Sequence, residues 1–523
     1  MKKAIGLIAA VVALTTAVAA QRGREGSQPA PQSGPQGGAP AGGAQPPGRG
    51  TYQPTTWWGD DMFPKWPYPA GDAVYADLEG MKIKGYINEI TAISRMSRDE
   101  GNQYWGRITG SSYDRMTTDW VVARFKRIGL ETRVQEFTDL PPQWWPTSWE
   151  VAVGGGGKSV ALKTAFPLYH SAPTNGQAEL DPVWVGMGTA ADFQGRDVRG
   201  KAAIAYGFPN PGGREDTALT WGVVKRAEAE GAAALFIVLG FPGNVINEPT
   251  AAGTTDPARM PVFMLGNQDG TVIRQMIEQE QSPRMRFRLS VELRTGMKTA
   301  SVFGVLPGST DENIAVMAHT DSFFEGAMDN ASGIGTMIEL GEHYARLPKA
   351  QRRRTMTFFT SSAHHSPSGE EAGLRWIHNH MQAMFARTAL IVNCEHTSQV
   401  QTYLVGNSLV GSNAISARRW FVGGSDRLKA IVADSFKTFG IAIYSRPETR
   451  PGGELGVVYT DAPSVHIIDH AIYHTDLDTA ALVPEPGLEA AVRAFAKIID
   501  EVNTEPIAAL RATPPATSLK PQA

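Results

Sequence analysis

Histidine is concentrated in one part of this chain. Ten of the eleven histidines fall between His319 and His474, a span of less than a third of the 523 residues. Imidazole and carboxylate groups together suit zinc best among the common metal ions. The only cysteine is Cys394, which excludes a disulfide framework and a zinc site built from thiolates. Any metal in this region must therefore be bound by His, Asp and Glu.

Several of these donors come directly after short apolar runs that are typical of buried strands. They are His319 after 314–318, His364 and His365 after 356–360, and Glu395 and His396 after 390–392. Strands that alternate with helices predict an α/β fold with a doubly wound, mostly parallel sheet. In such a sheet, ligands bind beyond the carboxyl ends of the strands. The spacing therefore predicts a metal site at one edge of this sheet.

The elements that must hold the sheet in place are also visible in the pattern. Apolar residues recur at helical spacing in four stretches: 78–96, 117–128, 334–345 and 488–502. Gly129 is suited to end the second of these helices in a left-handed conformation. Residues 131–137 alternate as a strand does, and 465–468 is a further buried strand.

Changes in composition divide the chain into segments. Residues 1–20 have the charge and small-residue pattern of a signal peptide, and 21–56 form a linker rich in Pro, Gly and Gln. We expect the folded part to consist of 57–149 and 298–505, interrupted by a small α/β or β-rich domain at 150–297. We expect this inserted domain to supply no metal ligand. Residues 506–523 are predicted to be a disordered tail.

The charge balance limits the possible partners. Lys and Arg number 49 against 52 Asp and Glu, which gives a net charge of -3 without a basic block. This composition argues against nucleic acid as the main partner. The apolar run in the leader is too short to span a bilayer, so we expect no membrane insertion after signal cleavage. The expected location is secreted or periplasmic.

Two motifs carry a resemblance to a known family. The segment 318–322 reads AHTDS and is followed by GAMDNASG at 326–333, while YHT at 473–475 is followed by DT at 478–479. In this order they resemble the ligand motifs of the two-zinc exopeptidases of metallopeptidase family twenty-eight, which includes bacterial aminopeptidases and glutamate carboxypeptidase. The segment 150–297 is similar to the protease-associated domain that many members carry as an insertion.

The resemblance implies a role for each matching residue. His319 would bind one zinc, His474 the other, and Asp329 would bridge both. Asp321 would orient the imidazole of His319 without touching the metal. Where the family has an aspartate ligand, this chain has Glu395, whose longer side chain can still reach a metal.

The catalytic pair is the main departure from the family pattern. The family has two adjacent glutamates after the corresponding strand, the first as general base and the second as metal ligand. This chain has His364 and His365 there, and Glu370 and Glu371 six residues later. In one register Glu370 is the base and Glu371 the ligand; in the other, His365 is the ligand and His364 or a loop glutamate takes the proton. The glutamate register is slightly favoured, because it leaves a base that is not bound to metal.

The function that the resemblance implies is an exported zinc exopeptidase, more specifically an aminopeptidase, that acts on peptide substrates with two zinc ions. Two alternatives remain open at this stage. One is a receptor-like binding protein that keeps the fold and has lost its metals. The other is a single-zinc acyl transferase similar to glutaminyl cyclase.

Overall fold

The computed structural model describes residues 59–67, 69–207, 220–248, 257–405, 408–449, 452–468 and 472–513. All of these residues belong to one unit, residues 49–523. The predicted signal peptide at 1–20, the linker at 21–56 and most of the predicted tail at 506–523 lie outside the described residues. Among the helices that are described, none combines the length and the apolar composition needed to cross a bilayer.

The described residues form twenty strands, which are, in chain order, β1 Gly106–Arg107, β2 Glu131–Phe137, β3 Gln143–Gly155, β4 Lys158–Ala161, β5 Phe166–Pro167, β6 Ala178–Leu180, β7 Pro182–Trp184, β8 Ala202–Gly207, β9 Ala234–Leu239, β10 Val262–Gly266, β11 Arg284–Arg294, β12 Thr299–Leu306, β13 Thr310–His319, β14 Ser322–Phe323, β15 Arg354–Ser361, β16 Thr388–Asn393, β17 Val400–Val405, β18 Ser408–Ile415, β19 Arg419–Gly423 and β20 Ser464–Ile468.

The α-helices in the same part of the chain are α1 Gly80–Asp99, α2 Ser112–Ile128, α3 Ala190–Phe193, α4 Thr220–Ala229, α5 Asn267–Glu278, α6 Gly333–Arg346, α7 Gly373–His380, α8 Gln382–Phe385, α9 Asp426–Thr438, α10 Gly453–Val458, α11 Glu485–Thr504 and α12 Ile507–Leu510. The four helices expected from the sequence are α1, α2, α6 and α11. As predicted, Gly129 ends α2 with a φ of 88°.

The main sheet has seven strands in the order β19-β20-β16-β13-β15-β12-β2. Its four central strands β20, β16, β13 and β15 are mutually parallel. At the two edges, β19 and the pair β12–β2 run antiparallel to their neighbours. The α/β class is therefore confirmed. The expectation of a mostly parallel sheet holds for the centre, whereas half of the strand pairs described in this sheet are antiparallel.

Strand β13 shows why the central run is apolar at every position. Ile314 and Val316 pack into the core formed with α1, α6 and α11, whereas Ala315 and Met317 pack on the opposite face against α7 and α10. Successive side chains of a strand point to opposite faces. A strand covered by helices on both faces therefore needs a continuous apolar run, as a doubly wound sheet requires.

The stretch between β2 and β12 builds two further sheets. One is antiparallel, in the order β4-β3-β11-β6, and the other has the order β5-β10-β9-β8-β7 with parallel pairing from β7 to β10. Their shared core includes Tyr104 and Phe323 from the flanking parts of the chain. The described part of this inserted segment contains nine strands, β3 to β11, and it packs directly against the part of the chain that carries the histidines.

Candidate metal centre

The donors singled out from the sequence meet at the carboxyl ends of the four parallel strands. β13 ends at His319, β15 ends three residues before His364, β16 ends two residues before Glu395, and His474 follows β20. Parallel strands bring their carboxyl ends to the same edge of a sheet, where their connecting loops meet. The predicted convergence is therefore present in the fold. Four overlapping groups of three donors are close enough there to bind a metal ion: His319/His364/His365, Asp329/His365/His474, His319/Glu395/Glu454 and Asp329/Glu395/His396.

Asp329 lies at the middle of this cluster and faces four imidazoles. Its Oδ1 is 2.9 Å from Nε2 of His319 and 3.1 Å from Nε2 of His396. Its Oδ2 is 3.1 Å from Nε2 of His474 and 3.6 Å from Nε2 of His365. Each carboxylate oxygen thus faces its own pair of imidazoles. This arrangement suits one carboxylate that bridges two cations.

The hydrogen bonding around Asp329 also fits a cation. Among the described residues, the buried atoms His319 Nε2 and Asp329 Oδ2 make no hydrogen bond of normal geometry, although their nearest ion-pair partners lie at 2.9 and 3.1 Å. Burial of the ring acts to lower the pKa of His319, but the Asp329 carboxylate raises it to about 10. Conversely, burial acts to raise the pKa of Asp329, but His365 and His319 hold it well below its usual range. The site therefore stabilises positive charge beside the carboxylate, and its nitrogen and oxygen donors are those that zinc prefers.

The backbone that leads into Asp329 is held by another carboxylate. Asp478 accepts hydrogen bonds from the amide N–H of Met328, at 2.6 Å, and from that of Asp329, at 3.0 Å. Burial raises the pKa of Asp478 to about 6. The loop that carries Asp329 is therefore held by contacts that leave both oxygens of Asp329 available to the imidazoles.

Asp321 lies on the outer side of the cluster. Its Oδ1 accepts the backbone N–H of His364 at 3.1 Å, and its Oδ2 accepts that of His365 at 2.8 Å. Its Oδ2 also lies 3.4 Å from Nδ1 of His365. Burial acts to raise the pKa of Asp321, but His365 and His319 hold it far below its ordinary value. The side chain of Asp321 therefore lies closer to His364 and His365 than to His319, whose Nδ1 is 3.8 Å from Asp321 Oδ1.

Glu395 belongs to a buried group of carboxylates and imidazole on one side of the cluster. Its Oε2 is 2.6 Å from Nε2 of His466, and its Oε1 is 3.7 Å from Nε2 of His396. Burial acts to raise the pKa of Glu395, but His466 holds it well below the usual range. Burial and the neighbouring Glu395 raise the pKa of Glu454 well above its usual value. The neutral Glu454 can therefore donate an O–H hydrogen bond to the ionised Glu395.

The two candidates for the catalytic pair lie in different surroundings. His365 is buried and His364 is half-buried, with its ring centroid 4.5 Å from that of His319. Glu370 and Glu371 are exposed, and Glu371 pairs with the exposed His380 at 2.9 Å. The structure does not bring the two glutamates into the cluster. The reason is that Asp321 holds the histidine pair at the end of β15, while the loop then carries the chain outward.

Unusual left-handed backbone conformations occur in the loops that form this cluster. Ala363, His396 and His474 have φ values of 52°, 46° and 51°, in the left-handed region that non-glycine residues rarely adopt. Each such residue costs free energy that the surrounding packing must offset, and they cluster at functional sites. Three of them within one cluster support a functional role for these loops.

Sequence reasoning missed several members of the cluster. The sequence pattern places His396 among the strand-end donors without assigning it a role, and it does not identify His466, Glu454 or Glu248 as site residues. His396 had a signal, because it follows Glu395 at a strand end, and His466 lies within β20. Glu454 and Glu248 had none, because they come from α10 and from the segment after β9, neither of which is close in sequence to a predicted strand end.

Residues 301–499 match the profile of peptidase family M28. Aminopeptidase YwaD from Bacillus subtilis (strain 168) is 25% identical over 258 residues, which make up 48% of this chain and 50% of that relative. The chain therefore matches about half the length of this curated relative.

Solved structures extend the likeness to most of the chain. The zinc aminopeptidase BSAP from Bacillus subtilis has a TM-score of 0.57 at 17% identity and covers 83% of this chain and 98% of its own. An aminopeptidase from Aneurinibacillus sp. strain AM-1 has a TM-score of 0.54 at 17% identity, with coverages of 84% and 96%. A peptidase M28 precursor from Shewanella amazonensis SB2B has a TM-score of 0.64 at 16% identity, with coverages of 82% and 95%. At these identities the likeness establishes the fold.

Proposed function

We propose, because residues 301–499 match peptidase family M28, that the protein is a zinc-dependent exopeptidase, specifically an aminopeptidase, that hydrolyses peptide bonds at chain ends. The observation that carries this proposal is the position of Asp329, whose two oxygens each face a pair of imidazoles. YwaD, BSAP and the Aneurinibacillus protein are each named as aminopeptidases, which supports the choice of the amino end.

The donors divide into two metal centres around Asp329. His319 and Glu395 would hold one ion on the Oδ1 side, where His396 supplies a further imidazole. His365 and His474 would hold the second ion on the Oδ2 side. In this assignment His365, the alternative in the sequence analysis, occupies the ligand position for which Glu371 was slightly favoured, because Glu371 is exposed and paired with His380.

When bound, zinc supplies a water whose pKa is lowered toward ~7 and polarises the scissile carbonyl. The half-buried ring of His364, next to His319, would act as the general base in the attack on the carbonyl and as the general acid toward the leaving amine. Burial holds the pKa of His364 well below its usual value, which keeps the ring neutral but makes it a weaker base than a free imidazole. Glu370, the other candidate for this role, lies on the exposed part of the loop.

The two alternatives find less support at this site. A receptor-like protein that has lost its metals would not need buried imidazoles on both sides of a carboxylate. A single-zinc acyl transferase would need donors at one oxygen of Asp329 only. Secretion or periplasmic location remains part of the proposal and is supported by the signal-peptide pattern of residues 1–20.

Metal analysis and kinetics on the same preparation test the proposal. Protein purified without chelator should contain zinc and hydrolyse amino-acid arylamides, and both should be lost after chelation and return on adding zinc. His364→Ala should then lower turnover by ~10²–10⁴-fold with unchanged zinc content, because general-base assistance is worth that much. A zinc content below about half an equivalent, with no uptake of added zinc, would refute the proposed function.

A further inference from the structure

The segment that follows β9 reaches from the inserted sheets into the metal centre. Residues 246–248 run antiparallel to residues 474–476. The amide N–H of Glu248 donates to the carbonyl of His474 at 2.9 Å, and that of Asp476 donates to the carbonyl of Ile246 at 3.1 Å. Asn247 forms a bridge with Thr475 and donates from its side chain to the carbonyl of His474 at 3.3 Å. The loop that carries His474 is thus held by a ladder whose other side belongs to the inserted segment.

The apolar side chains of this segment strengthen the attachment. Phe241 and Val245, together with Leu239 at the end of β9, are buried in the core that also contains Ile472 and Leu477 on the two sides of His474. The inserted sheets form two further cores, one with Phe236 and Phe263 and the other with Leu235 and Ile237. The segment after β9 therefore leaves its own domain and packs as part of the peptidase core.

At the end of the ladder, Glu248 lies behind the imidazole of His474. Its side chain is buried, and its Oε2 lies 3.4 Å from Nδ1 of His474, while its backbone carbonyl lies 3.2 Å from the same nitrogen. Nε2 of His474 points the other way, toward Asp329 Oδ2 at 3.1 Å. An imidazole that binds a metal through Nε2 carries its proton on Nδ1, and a carboxylate at that proton fixes the ring and increases the electron donation of Nε2.

We propose that Glu248 is a positioning residue of the metal centre, supplied by the inserted segment, that orients His474 and strengthens zinc binding on the Oδ2 side of Asp329. No described residue of the inserted segment belongs to the groups of donors that are close enough to bind a metal ion, but Glu248 supports a member of one of these groups. This inference rests on the proposed function only in taking His474 as a zinc ligand.

Substitution of Glu248 by Gln tests the proposal, because the amide has nearly the same shape and lacks the negative charge. Zinc affinity of wild type and variant is measured by competition with a chelator, and cobalt substitution gives an absorption spectrum that reports ligand geometry. Loss of such a supporting carboxylate typically weakens metal binding 10–100-fold. We expect a loss of about 10-fold or more for one ion only, with a changed cobalt spectrum. The matched control is Glu292→Gln, which removes an exposed carboxylate of the same segment and should change neither quantity.

The outcomes separate this inference from the proposed function. If wild type takes up no zinc, the proposed function fails. If wild type binds two ions and Glu248→Gln binds both with unchanged affinity, or weakens both equally together with the stability of the metal-free protein, the positioning role is overturned.

A second measurement does not depend on the folding of a variant. Zinc added to the metal-free wild type should slow amide hydrogen exchange at Glu248, whose N–H donates to His474. If the exchange rate of the Glu248 amide stayed unchanged while residues around Asp329 became protected, zinc binding would not be linked to Glu248 and the proposal would be contradicted.

Discussion

His365→Ala, compared with Glu371→Ala, separates the two registers of the catalytic pair. His365 is buried, with Nε2 at 3.6 Å from Asp329 Oδ2 and 3.1 Å from His474 Nε2. Glu371 has a side chain that is 73% exposed and pairs with His380. We expect His365→Ala to lose the ion on the Oδ2 side of Asp329, and Glu371→Ala to keep both ions.

The expected magnitude follows from the number of donors that each change removes. Protein sites with four ligands bind zinc with ~10–16 kcal/mol, so that one ligand contributes roughly 2.5–4 kcal/mol. Loss of His365 should therefore weaken the binding of the ion on the Oδ2 side of Asp329 by ~10²–10³-fold. The exposed pair of Glu371 and His380 is worth at most about 1 kcal/mol in stability and nothing in metal affinity.

The assay is zinc stoichiometry after dialysis against a weak chelator, followed by titration of each protein with zinc. Circular dichroism of the metal-free proteins provides the control for folding. The reasoning is refuted if Glu371→Ala loses an ion while His365→Ala retains two, since the chain would then have to rearrange to bring the glutamates into the cluster.

Three further perturbations follow from contacts in and near the site. Asp321→Asn would place an amide N–H₂ against one of the two backbone N–H groups that the carboxylate now accepts; we expect zinc affinity to fall ~10–100-fold, and unchanged affinity in a chelator titration would contradict the assigned role. Gly453→Ala would put a Cβ 2.8 Å from Glu395 Oε2 at a φ of +54°, whereas a Cβ at Gly200, with a φ of +69°, meets nothing. Gly453→Ala should therefore lower zinc affinity, whereas Gly200→Ala should lower only the melting temperature. If the two variants had equal effects on both quantities, the contact with Glu395 would not explain the loss of affinity. Burial raises the pKa of Asp114 from 3.8 to about 7, so the folded state binds the carboxyl proton more tightly than the unfolded state does. Protonation of Asp114 therefore stabilises the fold. This contribution is complete at a pH below the pKa of the unfolded state and is lost as the pH rises through the pKa of the folded state. Urea unfolding of the metal-free protein should lose at most ~1.4 kcal/mol per pH unit from this group between its two pKa values, and Asp114→Asn should flatten that slope; an unchanged slope would show that Asp114 does not titrate there.

The donors and their order were predictable because they depend on local pattern. A strand covered on both faces must be apolar at every position, so β13, β15 and β16 could be recognised from short runs, and His319, His365 and Glu395 follow them closely. Parallel neighbours place such residues at a common edge whatever the rest of the chain does. The sequence therefore determined at which edge of the sheet the donor side chains lie and which kinds of donor are found there.

The tertiary structure decided how the loops beyond that edge are arranged. Spacing alone left the histidine pair and the glutamate pair as alternatives, because a loop can place either at the site. Asp321 accepts the amide N–H groups of His364 and His365 and so fixes the histidines at the end of β15, 43 and 44 residues further along the chain. The same holds for Glu248, which meets His474 across a separation of 226 residues. Such contacts form between segments that only the folded chain brings together. The local sequence pattern of either segment therefore does not indicate which distant segment it will contact.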